Sequence, residues 1–227
     1  TTSCGGGALT AVAGGNSVGL SGGTIAAGGS CTVTVRVKSA SAGAYNNSTG
    51  TVATANAGTG TAANATLTVT LPMPILNVLK LSAVISDPVN STSFPKSIPG
   101  AIVSYNIRVS NTGPGVVDAN TVSVTDPLPP EVELYVGNLA GPGGGGPVYF
   151  VNGSPTSGLT WTYSGLSSAT DSLDFYSVGA GWSYTPVPDA NGFDPLVRDI
   201  RMRPTGSMNA AGGGNPYAEF IFRVRLK

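Results

Sequence analysis

The chain has 227 residues, with 33 Gly, 17 Pro, 11 basic and 11 acidic side chains, and no His. Long straight-chain residues are scarce, which argues against an all-α or α/β fold, and the missing His excludes Ser-His-Asp and Cys-His catalysis and the usual zinc sites. Hydrophobic residues make up 41% of the chain and fall in short alternating runs. We therefore expect an all-β protein rich in turns rather than a disordered chain.

The distribution of charge and of glycine excludes further classes of function. The net charge is zero and there is no basic cluster, which argues against a nucleic-acid partner. No apolar run approaches the roughly 18 residues that would span a bilayer. The glycine run Gly143–Gly146 lies between Pro142 and Pro147 in a predicted loop, so it is not a nucleotide-binding motif, and no cofactor is expected. The chain begins at Thr1 without Met or a signal peptide, as is typical of a processed or trimmed product.

Residues 1–71 form the first predicted domain, with only two charges, Arg36 and Lys38, and no acid. Alternating apolar and polar residues predict clear strands over Thr32–Lys38 and Thr66–Leu71. Gly-Gly and Asn-Asn turns separate weaker predicted strands near Leu9–Val12, Ser17–Ser21 and Thr49–Asn56. Two prolines then interrupt the pattern and predict a short stiff linker over residues 72–76.

Residues 77–227 form the second predicted domain, which holds all the acidic side chains. Strict alternation over 103–110 and 219–227 predicts two strands with one buried and one wet face. The predicted inward residues are Val103, Tyr105, Ile107, Val109, Phe220, Phe222 and Val224. Turn signals such as Asn111-Thr-Gly-Pro-Gly and Asp126-Pro-Leu-Pro-Pro separate the strands, which indicates an antiparallel β-sandwich.

Cys4 and Cys31 are the only cysteines, and both lie in the same small, nearly uncharged segment. In a β protein rich in Thr, Asn and Gly, we interpret them as one disulfide in an oxidising, extracytoplasmic setting. The alternative is a pair of free buried thiols.

Several motifs of the second domain resemble the Ig-like conserved-repeat domain of bacterial and archaeal secreted and cell-surface proteins, a family catalogued as a domain of unknown function. The resemblance covers nearly all of residues 75–227 and rests on Pro99-Gly-Ala-Ile-Val-Ser-Tyr-Asn-Ile-Arg-Val-Ser-Asn-Thr-Gly-Pro-Gly, Val122-Ser-Val-Thr-Asp-Pro-Leu-Pro, Tyr184-Thr-Pro-Val-Pro-Asp-Ala-Asn-Gly-Phe-Asp-Pro and Phe220-Ile-Phe-Arg-Val-Arg. It implies an Ig-like sandwich, and that family carries no agreed catalytic or binding residues.

Residues 1–71 resemble a different Ig-like repeat of the same kind of protein. The matching motifs are Leu20-Ser-Gly-Gly-Thr, Gly28-Gly-Ser-Cys-Thr-Val-Thr-Val and Tyr45-Asn-Asn-Ser-Thr-Gly. In that repeat the cysteines come late, after front strands that are missing here. The resemblance therefore implies two Ig-like antiparallel β-sandwich domains in tandem, the first lacking its front strands. Either the chain is trimmed inside a domain, or strands from elsewhere complete it.

Four sets of residues in the second domain are candidate sites. Oxygen-bearing side chains at Asp189, Asn191 and Asp194 are weak calcium candidates, although Asx-turns explain them as well. Glu131 and Glu133 have a glycosidase-like pairing but are expected to be solvated. An aromatic cluster is either a sugar-binding platform or core: Trp161, Tyr163, Phe175, Tyr176, Trp182, Tyr184 and Tyr217. A set of arginines is expected to form surface ion pairs: Arg198, Arg201, Arg203, Arg223 and Arg225.

These features predict a non-enzymatic structural subunit of an extracellular or cell-surface assembly. The open edges expected in residues 1–71 favour a filament built from copies of the chain by inter-subunit β-strand addition. The alternative is an adhesin-type binding module that recognises a glycan or a protein, which an exposed aromatic groove in residues 149–222 would favour.

Overall fold

The computed structural model describes residues 1–141 and 145–227. Every regular element in these residues is a β-strand, and the strands form several antiparallel sheets, which confirms the predicted all-β class. The chain forms two compact units, Thr1–Leu71 and Pro72–Lys227. Pro142, Gly143 and Gly144, which begin the predicted glycine-rich loop, lie outside the described residues.

The first unit contains two antiparallel hairpins. They are β1 (Ala8–Ala11) with β2 (Val18–Ser21), and β3 (Gly43–Ser48) with β4 (Asn64–Val69). Successive side chains of a strand point to opposite faces, and the register places Leu9 opposite Leu20 and Tyr45 opposite Leu67. Each hairpin therefore has one apolar face.

Two strand predictions in the first unit are wrong. Thr32–Lys38 forms a bridge only between Val33 and Thr2, where the Ser3 N–H donates to the Thr32 carbonyl and the Thr34 N–H donates to the Thr1 carbonyl. The predicted strand at 49–56 contains only the bridge between Ala53 and Thr59, and the strand lies earlier, across the predicted Asn-Asn turn. Cross-strand hydrogen bonds explain why Asn is accepted there: the Thr66 hydroxyl donates to Asn46 Oδ1 at 2.8 Å.

In its described residues, the second unit contains nine strands in two sheets. In chain order they are β5 Leu76–Ser86, β6 Ile102–Asn111, β7 Val124–Pro127, β8 Val132–Tyr135, β9 Tyr149–Asn152, β10 Leu173–Tyr176, β11 Phe193–Asp194, β12 Asp199–Met202 and β13 Tyr217–Leu226. The larger sheet has the order β11-β8-β13-β6-β5, with β9 also paired to β13, and the smaller has the order β10-β12-β7. All these strand pairs are antiparallel.

The core of the second unit lies along β6 and β13. Of the seven residues predicted to face inward, six are buried, and Tyr105 is half-buried against Phe222 with ring centroids 5.4 Å apart. Leu173, Ile200 and Met202 of the smaller sheet belong to the same buried cluster. The two sheets therefore enclose one core, as expected of a β-sandwich.

The segment before β5 is hydrogen-bonded within the second unit. The Met73 carbonyl accepts from Gly115 N–H at 3.1 Å, and the Ile75 carbonyl accepts from Thr112 N–H at 2.8 Å. A Cβ on Gly115 would lie 2.3 Å from the Pro72 carbonyl oxygen, so only glycine fits this close approach. β5 begins at Leu76, inside the predicted linker 72–76. These contacts hold the start of β5 beside β6.

Candidate assembly interface

The first unit leaves its apolar faces uncovered. Cys4 is the only buried apolar residue in Thr1–Leu71. On the apolar faces of the hairpins, Leu20 is 39% exposed, Tyr45 40% and Leu67 44%. A layer of a β-sandwich is normally covered by a second layer. Each hairpin of the first unit therefore has an apolar face that no second layer covers.

The disulfide is the main internal restraint of this unit. Cys4 and Cys31 are joined, with Cα atoms 4.9 Å apart and a sequence separation of 27. Closing a loop of this size stabilises the folded state by about 3.5 kcal/mol on the chain-entropy model. The bond fits an oxidising compartment, and it fastens the start of the chain to the segment that follows Cys31.

That segment is a strand sequence without a full partner. Residues 35–38 make no backbone–backbone hydrogen bond with any residue that the structure describes. Val35 is 41% exposed and Val37 72%.

Asp189, the first calcium candidate, is engaged by protein donors. Its Oδ1 accepts from the backbone N–H groups of Asn191 and Phe193, both at 2.8 Å, and its Oδ2 accepts from Arg225 at 2.8 Å. The Phe193 N–H, followed by the Arg225 side chain, lowers the pKa of Asp189 to about 2. Asn191 contributes its backbone N–H, which makes this an Asx-turn rather than a set of converging oxygen ligands.

Asp194 is engaged in the same way. It is 1% exposed and accepts from the Tyr184 hydroxyl at 2.8 Å and from the Val187 and Leu196 N–H groups at 2.7 Å. Burial, together with the hydrogen bond to Asp194, raises the pKa of Tyr184 to about 12. In the described residues, no group of three or more acidic or Cys side chains is placed to hold a metal ion. Asp189 and Asp194 therefore hold the backbone around them in place, and Asn191 takes part through its backbone N–H.

Part of the aromatic cluster belongs to the core, and the rest of it is half-buried. Trp161 and Phe175 are buried, and Trp161 stacks on Phe150 with centroids 5.8 Å apart. Trp182 is half-buried, with Tyr176 on one side at 5.4 Å and the Arg201 guanidinium 4.3 Å from its ring. The remaining members of the cluster are half-buried: Tyr163, Tyr184 and Tyr217.

Ion pairs engage most of the candidate charged residues. Arg201 and Arg203 both bind the carboxylate of Asp174, at 2.9 and 2.7 Å. Arg225 binds Glu133 and Asp189. Glu133 is therefore held by an arginine and is not half of a free carboxylate pair.

The sequence patterns did not predict the exposed aromatic residue Phe94. Phe94 is 91% exposed and has φ +53°, in the left-handed region that bulky residues rarely adopt. Its loop is held by Asp87, whose carboxylate accepts from the N–H groups of Val89, Asn90 and Lys96 at 2.5–2.7 Å. The Asp87-Pro88 and Asn90-Ser91 turn signals were the available indication of a fixed loop here, but nothing in them marks Phe94.

Comparison with known proteins gives a family match for the first unit only. Residues 1–69 match a family model described as "Domain of unknown function (DUF7933)". No curated protein and no solved structure matches the chain. Among the described residues there is also no helix long and apolar enough to cross a membrane.

Proposed function

We propose that the chain is a non-enzymatic structural subunit of an extracellular or cell-surface assembly, with two Ig-like domains in tandem. Copies join when a strand of one subunit covers the first unit of the next. The observation that carries this proposal is the uncovered apolar face of each hairpin, β1–β2 and β3–β4. The disulfide and the turn-rich, nearly uncharged composition of the first unit are also typical of exported proteins.

The physical argument concerns burial. A unit of 71 residues with one buried apolar side chain cannot offset its conformational entropy by hydrophobic burial. A strand added at the edge of the β3–β4 hairpin would pair with its free backbone groups, and its own apolar side chains would extend the face that carries Tyr45 and Leu67. Because the donor and the acceptor are different surfaces, the contact is heterologous and continues from copy to copy unless it closes into a ring.

The adhesin-type alternative has less support. An aromatic groove between residues 149 and 222 was the feature that would favour glycan recognition, and the aromatic cluster there is buried or half-buried. The exposed ring of Phe94 favours binding of another protein.

Electron microscopy and light scattering of the full chain over a range of concentrations test the proposal. We expect linear particles that grow with concentration. Leu67→Asp places a charge on the uncovered face of β4 and should abolish growth, whereas Thr66→Asp on the other face of the same strand should not. In assembled wild-type protein, hydrogen exchange in β3 and β4 should slow. A chain that stays monomeric at high micromolar concentration would contradict the proposal.

A further inference from the structure

The outer edge of β5 is free. Within the described residues of the second unit, β5 pairs with β6 and with no other strand. It is 11 residues long, contains no Pro, and its only register shift lies at its far end, between Val84 and Ser86. Natural proteins usually protect such edges with Pro, bulges, exposed charges or short strands. β5 carries little of this protection.

The ladder shows which backbone groups are free. Ile75 accepts from Thr112 N–H on the β6 side, whereas Asn111 N–H donates to Pro216 on the opposite side of β6. Leu76, which lies opposite Asn111, therefore directs its N–H and C=O away from β6. The alternation continues along the strand, so Val78, Lys80 and Ser82 also present unpaired backbone groups.

Exposed apolar side chains flank this edge on both faces of the sheet. On the face that bears Val109 of β6, Leu76 is 44% exposed and Val78 65%. On the other face, Leu79 is 52% exposed and Leu81 57%. A strand that adds to this edge would bury apolar surface on both faces and would satisfy the backbone between them.

Lys80, the one charged residue on β5, does not protect the strand edge against pairing. Its ammonium lies 2.7 Å from the carboxylate of Asp126 and 4.5 Å from the centroid of the Tyr105 ring. The charge is therefore turned toward the smaller sheet and is already neutralised, so it offers little resistance to an incoming strand.

We propose that β5 pairs antiparallel with β5 of a second copy, about a two-fold axis at Leu79. This register sets Leu79 opposite Leu79 of the second copy and Val78 opposite its Lys80. This register keeps Lys80 of one copy from lying directly opposite Lys80 of the other. Two like charges directly opposite each other would destabilise the pairing. Leu76 falls opposite Ser82 and Asn77 opposite Leu81, so Leu79 and its symmetry mate form the apolar pair at the centre of this register.

This contact differs in kind from the one proposed for the first unit. It is isologous, because the same strand serves both copies, and it closes after two subunits. It requires no strand from the first unit and extends the larger sheet across the two-fold axis. Two subunits, or two filaments of subunits, would be joined side by side.

Cysteine cross-linking of the full chain tests the register. Leu79 and its symmetry mate form a non-hydrogen-bonded pair, in which Cα atoms lie about 4.5 Å apart, within the range of about 4.4–6.8 Å for a disulfide. Leu79→Cys should therefore oxidise to a covalent dimer of twice the chain mass. Asn77→Cys is the matched control: its symmetry mate is displaced by four residues, about 13 Å along the strand, and it should stay monomeric on a non-reducing gel.

A second pair of variants tests the backbone edge without cross-linking. Val78→Pro removes an outward N–H but no bond to β6, and it should convert the dimer to a monomer, while Val78→Thr should leave the dimer intact. In the background of Leu67→Asp, Leu79→Cys should still cross-link, which separates this interface from the filament contact. Absence of a Leu79→Cys dimer, equal cross-linking of Asn77→Cys, or an unchanged mass for Val78→Pro would overturn the proposal.

Discussion

Lys80 on β5 donates to the carboxylate of Asp126 on β7, with Nζ and oxygen 2.7 Å apart. β5 lies at an edge of the larger sheet and β7 at an edge of the smaller, so the ion pair joins the two sheets where both are open. The Asp126 side chain is 7% exposed, whereas that of Lys80 is 37% exposed. The carboxylate therefore depends on the lysine to compensate its burial.

Lys80→Met should destabilise the second unit by about 1–3 kcal/mol, because it leaves the Asp126 carboxylate buried without a charge partner. Urea unfolding followed by tryptophan fluorescence measures the change, since both tryptophans lie in this unit. The double variant Lys80→Met/Asp126→Asn should recover part of the loss. A loss below about 0.5 kcal/mol would mean that the pair behaves as an ordinary surface salt bridge.

Asn111→Ala should cost about 3 kcal/mol, because Asn111 is fully buried and all of its side-chain hydrogen bonds are made. Its amide donates to the carbonyls of Gly115 and Asn209, and its Oδ1 accepts from the Ile75 and Gly113 N–H groups. Asn106→Val is the matched control on the same strand. Asn106 Oδ1 is buried without a hydrogen-bond partner among the described residues, so this change should be nearly neutral. Equal losses of stability in the two variants would contradict the role of the Asn111 hydrogen bonds in holding the fold.

Asp87 should make the second unit sensitive to acid. The Asn90 N–H, with further N–H groups from Lys96 and Val89, lowers the pKa of Asp87 from 3.8 to about 2. A carboxyl group whose pKa falls on folding stabilises the protein above its unfolded pKa and loses that contribution as pH falls through the folded value. Stability should therefore decline between pH 4 and 2, and Asp87→Asn should flatten this decline while lowering stability at pH 7. Asp118→Asn, at an exposed position, controls for the loss of charge.

Reduction of the disulfide should unfold the first unit selectively. The loss of about 3.5 kcal/mol exceeds what one buried apolar residue can offset. Hydrogen exchange with and without dithiothreitol measures the effect, and we expect protection in β1–β4 to disappear while protection in β6 and β13 persists. Retained protection in β3 and β4 after reduction would show that burial, not the disulfide, maintains the unit.

Alternation predicted the strands that carry both a core face and a wet face. β6 and β13 were found from sequence because Val103, Ile107, Phe220 and Phe222 alternate with polar residues. The same pattern in Thr32–Lys38 did not produce a strand, since alternation indicates a preference for pairing but not the presence of a partner. A free edge such as that of β5 is likewise invisible in the sequence, because it is defined by which strands do not adjoin it.

The roles of the acidic residues were harder to predict. Asp189 and Asp194 have the residue types of a calcium loop, and their actual partners are the backbone N–H groups of their own loop and the side chains of Tyr184 and Arg225. Asp174 is a charged residue, yet it is buried within β10. Its burial is possible because Arg201 on the adjacent strand β12, and Arg203 just after that strand, both bind its carboxylate. Such partners are distant in sequence, and composition does not indicate them.

The position of β13 in the larger sheet bears on how the second unit folds. β13 pairs with β6, β8 and β9, which precede it by some 70 to 120 residues. These three strands therefore lack the strand that pairs with all of them until Tyr217–Leu226 has been synthesised. Proteins whose strands pair mainly with sequence-distant strands fold slowly, and their apolar strands stay exposed until folding is complete. During synthesis, Val103, Ile107 and Val109 of β6 stay open to wrong partners until the last strand arrives. Newly made chains would thus depend on protection from premature association for longer than a protein whose strands pair in sequence order.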